Sequence, residues 1–510
     1  MAGIVSILDS DVGGVACAEA SNECLADLHL DRIIAAVIAG HDDGNLTRIF
    51  STPLREVAAV RYRQQVFRDL EADETRLAIE DFADGMRAVR NRLHTAANVW
   101  HPLQQQGWLI AAIESYCEAV LLLADQLFCV RPRSSALRKI AQHITRYAEG
   151  ETFGCLVAET QSLRERLGDI RYLVHIDGLR VRVESYSQRA DYSSAVAETF
   201  ARFTADFGKD YRVNLPEFKD MNHVEEQILV CVSELYPDVF AMLSDFCRRH
   251  AEFVEPNIAR FEHEIQFYLS YLAFMGRFGE TGLTFSYPEV TDEPGNATAE
   301  DVFELALALK TLKEDRSPVP NSFALSGRER IFVVTGPNQG GKTTLARTIG
   351  QCAYLASLGC PVPAGSSRLT LPDQIFTHFE RQEEVSTLHG KLDDELVRIH
   401  DILSRATGSS IIIMNESFSS TTADDALLIG GEVLERIIAL NCIAVYVTFI
   451  DELSTLDPAC VSMVGEVAEH DPTHRTFRFS RRPADGRAYA AALAEKYGLT
   501  HELLKRRVAQ

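Results

Sequence analysis

Gly336-Pro337-Asn338-Gln339-Gly340-Gly341-Lys342-Thr343-Thr344 decides how this chain is read. The stretch matches G-x-x-x-x-G-K-[ST] at every fixed position. Ile331-Phe332-Val333-Val334 before it is apolar and rich in β-branched residues, as a buried strand requires. Leu345 through Ala356 after it reads as a helix. A strand, a glycine turn and a helix N-terminus gather several backbone N–H groups around one anion. Gly336, Gly340 and Gly341 let the backbone bend and approach a phosphate. Lys342 can reach the β- and γ-phosphates, and the Thr343 hydroxyl offers a magnesium position. Pro337, Asn338, Gln339 and Thr344 complete the candidate nucleotide-binding set, and the expected cofactors are ATP and Mg2+. The alternative is a glycine-rich turn with a solvated lysine, which does not account for the strand and helix on either side.

A second motif lies downstream in Ile411-Ile412-Ile413-Met414-Asn415-Glu416. An apolar run ending in Asp-Glu is the usual partner of such a loop: the Asp supports magnesium and the Glu orients the attacking water. Here Asn415 stands at the first position. It keeps the shape and one acceptor oxygen but loses the charge, so magnesium support is weakened. Glu416 is the candidate catalytic base, with Lys342 as its catalytic companion. The alternative is a polar strand end without chemistry.

A chain of 510 residues exceeds a single core. Its 46% hydrophobic and 24% charged content is that of an ordinary globular protein. A formal net charge of −22 argues against a uniformly basic, nucleic-acid-coating surface but leaves room for a local basic channel. The eleven cysteines form no C-x-x-C pair, which points to a reducing compartment. Trp108 to Phe128 is the most apolar long segment, and Glu114, Glu118 and Asp125 make it a buried helix rather than a membrane span. No secretory signal is visible at the first residues, so a cytoplasmic location without membrane attachment is expected.

In chain order, residues 1–24 read as a loose lead-in. Residues 25–222 are mostly helical by spacing, with a hairpin near 170–186 around Asp177-Gly178. Residues 223–290 read as long helices. Ile258, Phe261, Ile265, Tyr268, Leu272 and Met275 form a seam repeating every seven residues, as in two long helices side by side. Residues 300–480 alternate strands and helices, the mark of a mostly parallel sheet. Strands are expected at Ile331–Thr335, Gln374–Phe379, Ser410–Met414 and Ile443–Thr448. His378 and His389 fall close to the two motifs without a metal-like partner.

These residues resemble the MutS family of DNA mismatch-repair ATPases. The phosphate loop is similar to G-P-N-M-G-G-K-S-T, and Leu358 to Ala364 resembles the turn G-x-x-V-P-A. Ile375-Phe376-Thr377-His378 is similar to I-F-T-R, and Met414-Asn415-Glu416-Ser417 to the M-D-E segment. Ser386 sits where the family has a signature loop. Tyr489, Lys496, Gly498 and Arg506 resemble the closing helices of 481–510. The resemblance implies a multidomain protein: an α-helical core, lever and clamp region, with 223–290 as lever and clamp helices. An α/β P-loop ATPase domain of the ABC-like type and a C-terminal helical segment follow. It also implies a homodimer with composite ATP sites, in which Ser386 of one copy meets the γ-phosphate held by the other.

The departures are specific. About 25 residues precede the helical core, too few for the family's mismatch-reading domain. Phe449 takes the place of a switch histidine. No aromatic lies in register near Pro318-Val319-Pro320-Asn321 to stack on adenine, and Phe323 is the nearest substitute. The expected function is therefore a slow, DNA-dependent ATPase, a dimeric clamp acting on duplex or branched DNA by structure rather than by sequence. The alternative is a nucleotide-gated scaffold with little or no hydrolysis, motivated by Asn415 and Phe449.

Overall fold

Ile331–Thr335, Ile411–Asn415 and Ile443–Val447 are buried at every residue. Strands covered on both faces carry continuous apolar runs, and parallel sheets need such cover. In the computed structural model these three lie side by side. The central sheet runs in the order Asp471–Arg481, Cys460–Ala468, Ile331–Thr335, Ile443–Val447, Ile411–Asn415, Ile375–Phe379. All neighbours are parallel except the first pair. Val447 is in register with both Val334 and Asn415, so the phosphate-loop strand and the second-motif strand end at one level. Ligands of open parallel sheets bind at that carboxyl edge. The structure describes residues 5–9, 19–41, 44–178, 180–186, 221–293, 295–314, 316–380, 390–468 and 470–484.

One face of the sheet is covered by Lys391–Arg405 and Ala423–Leu440. Ile399, Ile402, Val433, Leu434 and Ile437 pack there with Ile331, Ile412 and Ala444. The opposite face receives Lys342–Ser357. A Cβ on Gly350 of that helix would lie 2.6 Å from Ile413 Cδ1 and 2.7 Å from Leu28 Cδ2, so only glycine allows this closeness. A smaller sheet of Glu289–Thr291, Ser366–Thr370, Thr298–Val302 and Asn321–Ala324 lies in the same unit.

Packing divides the chain into two compact units. One contains Met1–Ala72, Arg133–Leu137 and His263–Gln510; the other contains Asp73–Pro132 and Arg138–Glu262. The helical stretch expected at 25–222 is thus shared between them. Gln351 Nε2 donates to Leu28 O at 2.8 Å and Tyr354 OH to Phe50 O at 2.8 Å, tying early residues to the phosphate-loop helix.

The lead-in expected to be loose is not loose where it is described. Ser6, Ile7 and Leu8 are buried. Ser6 Oγ and Ile7 N donate to the Glu264 carboxylate, while Tyr62, Tyr268 and Arg63 donate to the carbonyls of Ser6, Ile7 and Leu8. A short segment with weak patterning is held through its backbone, which composition does not reveal.

The second unit is helical. Asp73–Asn98 packs along Pro102–Val130, and a Cβ on Gly85 would lie 2.8 Å from Ala119 Cβ. Pro102–Val130 is long and apolar enough to cross a membrane by length and composition. It buries Ile113, Tyr116, Val120, Leu123 and Leu127, as a core helix does. Tyr172–Asp177 and Arg180–Ser185 form the expected hairpin.

The run expected as long helices from 223 is broken. His223–Leu235 and Pro237–Arg249 meet at 104°, because Pro237 ends one helix and begins the next. The seven-residue seam holds for Ile258, Phe261, Ile265 and Tyr268, but Leu272 and Met275 are only half-buried. Burial passes to Phe267, Tyr271, Phe274 and Phe278, since a helix with 3.6 residues per turn drifts away from a 3.5-residue stripe. Phe67 meets Tyr268 at 4.7 Å, and Phe50 meets Phe267 at 4.7 Å.

Candidate functional site

The strand Ile331–Thr335 turns at Gly336, whose φ is 128°, and the loop enters its helix through Gly341 at φ 92°. A Cβ on Gly336 would lie 2.9 Å from Gly465 N on the adjacent strand, so both conformation and space require glycine. Lys342 begins the helix and is buried. Its ammonium donates to Gly336 O at 3.2 Å, to Asn338 Oδ1 at 3.3 Å and to Pro337 O at 3.5 Å. Glu416 Oε1 lies 3.8 Å from the same nitrogen. Burial pushes the Lys342 ammonium below the usual lysine range, and the Glu416 carboxylate opposes that shift.

The Thr343 hydroxyl donates to Asn415 Oδ1 at 2.8 Å. This bond joins the two motifs across the intervening strand Ile443–Val447. The turn after Asn415 is unusual: Glu416 and Phe418 both have positive φ, at 52° and 63°. Such backbone in non-glycine residues needs support from its surroundings. Glu416 N donates to Val447 O at 2.9 Å, Phe418 N donates to Glu395 Oε2 at 2.9 Å, and Ser417 Oγ lies 2.9 Å from His378 Nδ1. Burial pushes the Glu395 carboxyl up, and the bond from Phe418 N partly offsets this. His378, which the sequence left without a metal-like partner, is fully buried and supports this turn.

Gln339, Gly340, Gly341, Lys342, Thr343, Thr344 and Glu416 line a cavity of about 510 Å³. Leu307, Pro318, Val319, Phe477 and Phe479 add apolar surface to the same lining. A cavity that combines phosphate-loop groups with apolar and aromatic surface suits a nucleotide. Phe323 does not reach the cavity. It is buried on its strand, edge-on to Phe332 at 5.6 Å, because alternation along Asn321–Ala324 points it into the core. Two aromatics line the wall, Phe477 and Phe479, and Phe477 is the more exposed at 47%. A register shift between Gly465/Val467 accompanies a φ of 59° at Phe477, and Asn321 Nδ2 donates to its carbonyl at 3.0 Å. The alternation Phe477-Arg478-Phe479 is the sequence signal that points to it. Phe449 is exposed and does not line the cavity.

Ser386 and His389 lie outside the described residues, as do Tyr489, Lys496, Gly498 and Arg506. Among the described residues no cluster of three or more His, Cys, Asp or Glu could hold a metal ion. Thr343 and Asn415 are neutral donors, so they suit magnesium only together with phosphate oxygens from a nucleotide. Several arginines in short basic runs have local acidic partners. Arg249 pairs with Glu159 and Asp245, Arg248 with Asp245, and Arg481 with Glu329. Arg180 and Arg182 are exposed on the hairpin, with Arg182 3.7 Å from Glu184.

The family described as MutS domain V matches residues 332–506, which include both motifs. A protein named DNA mismatch repair protein MutS from Chlorobium chlorochromatii is 22% identical over 505 residues, 90% of this chain and 56% of the relative. Residues 332–506 belong to the MutS domain V family. Another MutS, from Fervidobacterium nodosum, is 28% identical over 192 residues, covering 37% of this chain and 23% of the relative. A protein named Endonuclease MutS2 from Thermus thermophilus is 30% identical over 213 residues, 40% of this chain and 27% of the relative. The chain therefore spans about half the length, or less, of these MutS and MutS2 relatives.

Proposed function

We propose that this chain binds ATP with magnesium at Gly336–Thr344 and hydrolyses it slowly to ADP and phosphate. The observation that carries this reading is that Lys342, Thr343 and Glu416 line one nucleotide-sized cavity, with Asn415 bound to the Thr343 hydroxyl behind its wall. Lys342 turns from its loop acceptors to the β- and γ-phosphates. Glu416 orients and deprotonates the attacking water. Magnesium, when bound, screens phosphate charge beside Thr343 and Asn415. The test is ATP turnover with magnesium, beside a Lys342→Ala control; equal rates in both proteins would overturn the reading.

The neutral Thr343–Asn415 pair is the reason for slow turnover. Asn415→Asp restores a charge at this position and is expected to raise turnover about tenfold at limiting magnesium, roughly 1.4 kcal/mol. A magnesium titration of both proteins checks this, and identical curves would show that Asn415 does not limit the rate.

Phe477 supplies a stacking face for the base. Phe477→Ala is expected to weaken ATP about tenfold and tripolyphosphate not at all, since base–aromatic stacking contributes about 1–3 kcal/mol. Competition binding with both ligands measures the difference.

The wider assembly follows the same reading. The chain forms a cytoplasmic homodimer with composite sites, in which Ser386 of one copy reaches the nucleotide of the other. DNA is the expected ligand, as duplex or branched structure, in repair or recombination; the relatives' printed names motivate it. If phosphate contacts drive it, DNA affinity falls steeply with salt. The second reading is a nucleotide-gated scaffold with little hydrolysis, and the charge-free Thr343–Asn415 pair favours it. In that case ATP shifts the monomer–dimer mass distribution without turnover.

A further inference from the structure

A second cavity, of about 660 Å³, lies beside the nucleotide site. Glu304, Leu307 and Thr344 line both cavities. Arg32, Arg277, Lys310 and Arg347 supply four cationic side chains to the second wall, with His29, Ala306 and Leu309 completing it. In a chain of net charge −22 this is a local reversal of sign. Among the described residues, Arg32, Arg277 and Lys310 have no carboxylate at ion-pair distance.

The one acidic side chain on this wall is already engaged. Glu304 is buried, accepts from Leu307 N and Gln351 Nε2, and caps Leu305–Thr311. Burial pushes its carboxyl up, away from full charge. Arg347 is fixed by donation from Nε to Asp27 O at 2.8 Å and by its place 5.3 Å from the Phe379 ring centroid. Its Nη groups have no acceptor among the described residues. His29 reports the field: burial, Arg347 and Arg32 together push its pKa down to about 4, although Glu304 lies 3.8 Å away.

We propose that this basic cavity is a second anion site, taking a compact oligophosphate independently of the Gly336–Thr344 loop. Guanidinium forks and an ammonium arranged around one concavity match an anion carrying several charges on neighbouring phosphates. Arg32, Arg277 and Lys310 do not line the nucleotide cavity, so the two sites can be separated by mutation.

The probe is inorganic tripolyphosphate, titrated calorimetrically into the full chain, Lys342→Ala, and the double variant Arg32→Gln/Lys310→Gln. Wild type is expected to show two binding events. Lys342→Ala should keep one, and the double variant should lose that one, with affinity about tenfold or more weaker. Thermal melting of each protein verifies folding, and Arg277→Gln gives an independent reading of the same site. Binding abolished by Lys342→Ala and untouched by the double variant overturns the proposal. So does a short DNA duplex whose affinity depends on Arg32 and Lys310 while tripolyphosphate does not, which makes the cavity a backbone contact. Binding lost only in the double variant sinks the nucleotide reading of the loop and leaves this site standing.

Discussion

Glu416→Gln is expected to lower ATP turnover about 10²- to 10⁴-fold while ATP still binds, the usual contribution of a positioned general base. The carboxylate lies 3.8 Å from the Lys342 ammonium, at the edge where the phosphate loop and second motif meet. Its backbone is held at φ 52° by bonds to Val447 O and, through the next two residues, to His378 and Glu395. Glutamine preserves size and these bonds but cannot take a proton. A second effect has a definite sign. Glu416 opposes the burial that lowers the Lys342 pKa, so its neutralisation lowers that pKa further. ATP affinity should then begin to fall at a lower pH in the variant than in wild type. Steady-state turnover and calorimetry across neutral to alkaline pH measure both. Turnover within a few-fold of wild type would remove Glu416 as the base.

Lys342→Ala is expected to weaken ATP and ADP by about 3 kcal/mol, roughly a hundredfold, the upper range for a hydrogen bond to a charged group. The same change should move thermal stability little, because two consequences oppose each other. The ammonium is buried, which costs free energy, and its removal leaves the carbonyls of Gly336 and Pro337 and the Asn338 amide without this donor. Calorimetry with ADP, paired with a melting curve, separates lost affinity from lost fold. Unchanged ADP affinity would mean that the loop does not hold the phosphates.

The strand, loop and helix of the candidate nucleotide site were legible because they follow one another along the chain. Fixed spacing carries the glycines, Lys342 and Thr343 to their places with no long-range help. Apolar runs likewise marked Ile411–Asn415 and Ile443–Val447, and Asp177-Gly178 marked its hairpin. Phe323 misled because proximity in sequence is not proximity to the cavity: strand alternation buries it against Phe332. Phe477 lies on the far edge of the sheet order, more than a hundred residues later, and reaches the cavity through a register shift.

By itself, then, the chain's order of residues pointed to a candidate nucleotide loop, a candidate second motif, a helical stretch before residue 290 and alternating strands and helices after 300, since each is encoded by neighbours along the backbone. Tertiary structure alone decided that Thr343 meets Asn415, that His378 supports the turn at Glu416, and that Phe477 lines the cavity. It also decided that residues near the start are anchored by Glu264, and that Arg32, Arg277, Lys310 and Arg347 surround one cavity. These pairings join residues distant in sequence. They exist only because parallel strands in register and close helix packing bring separate segments to one place.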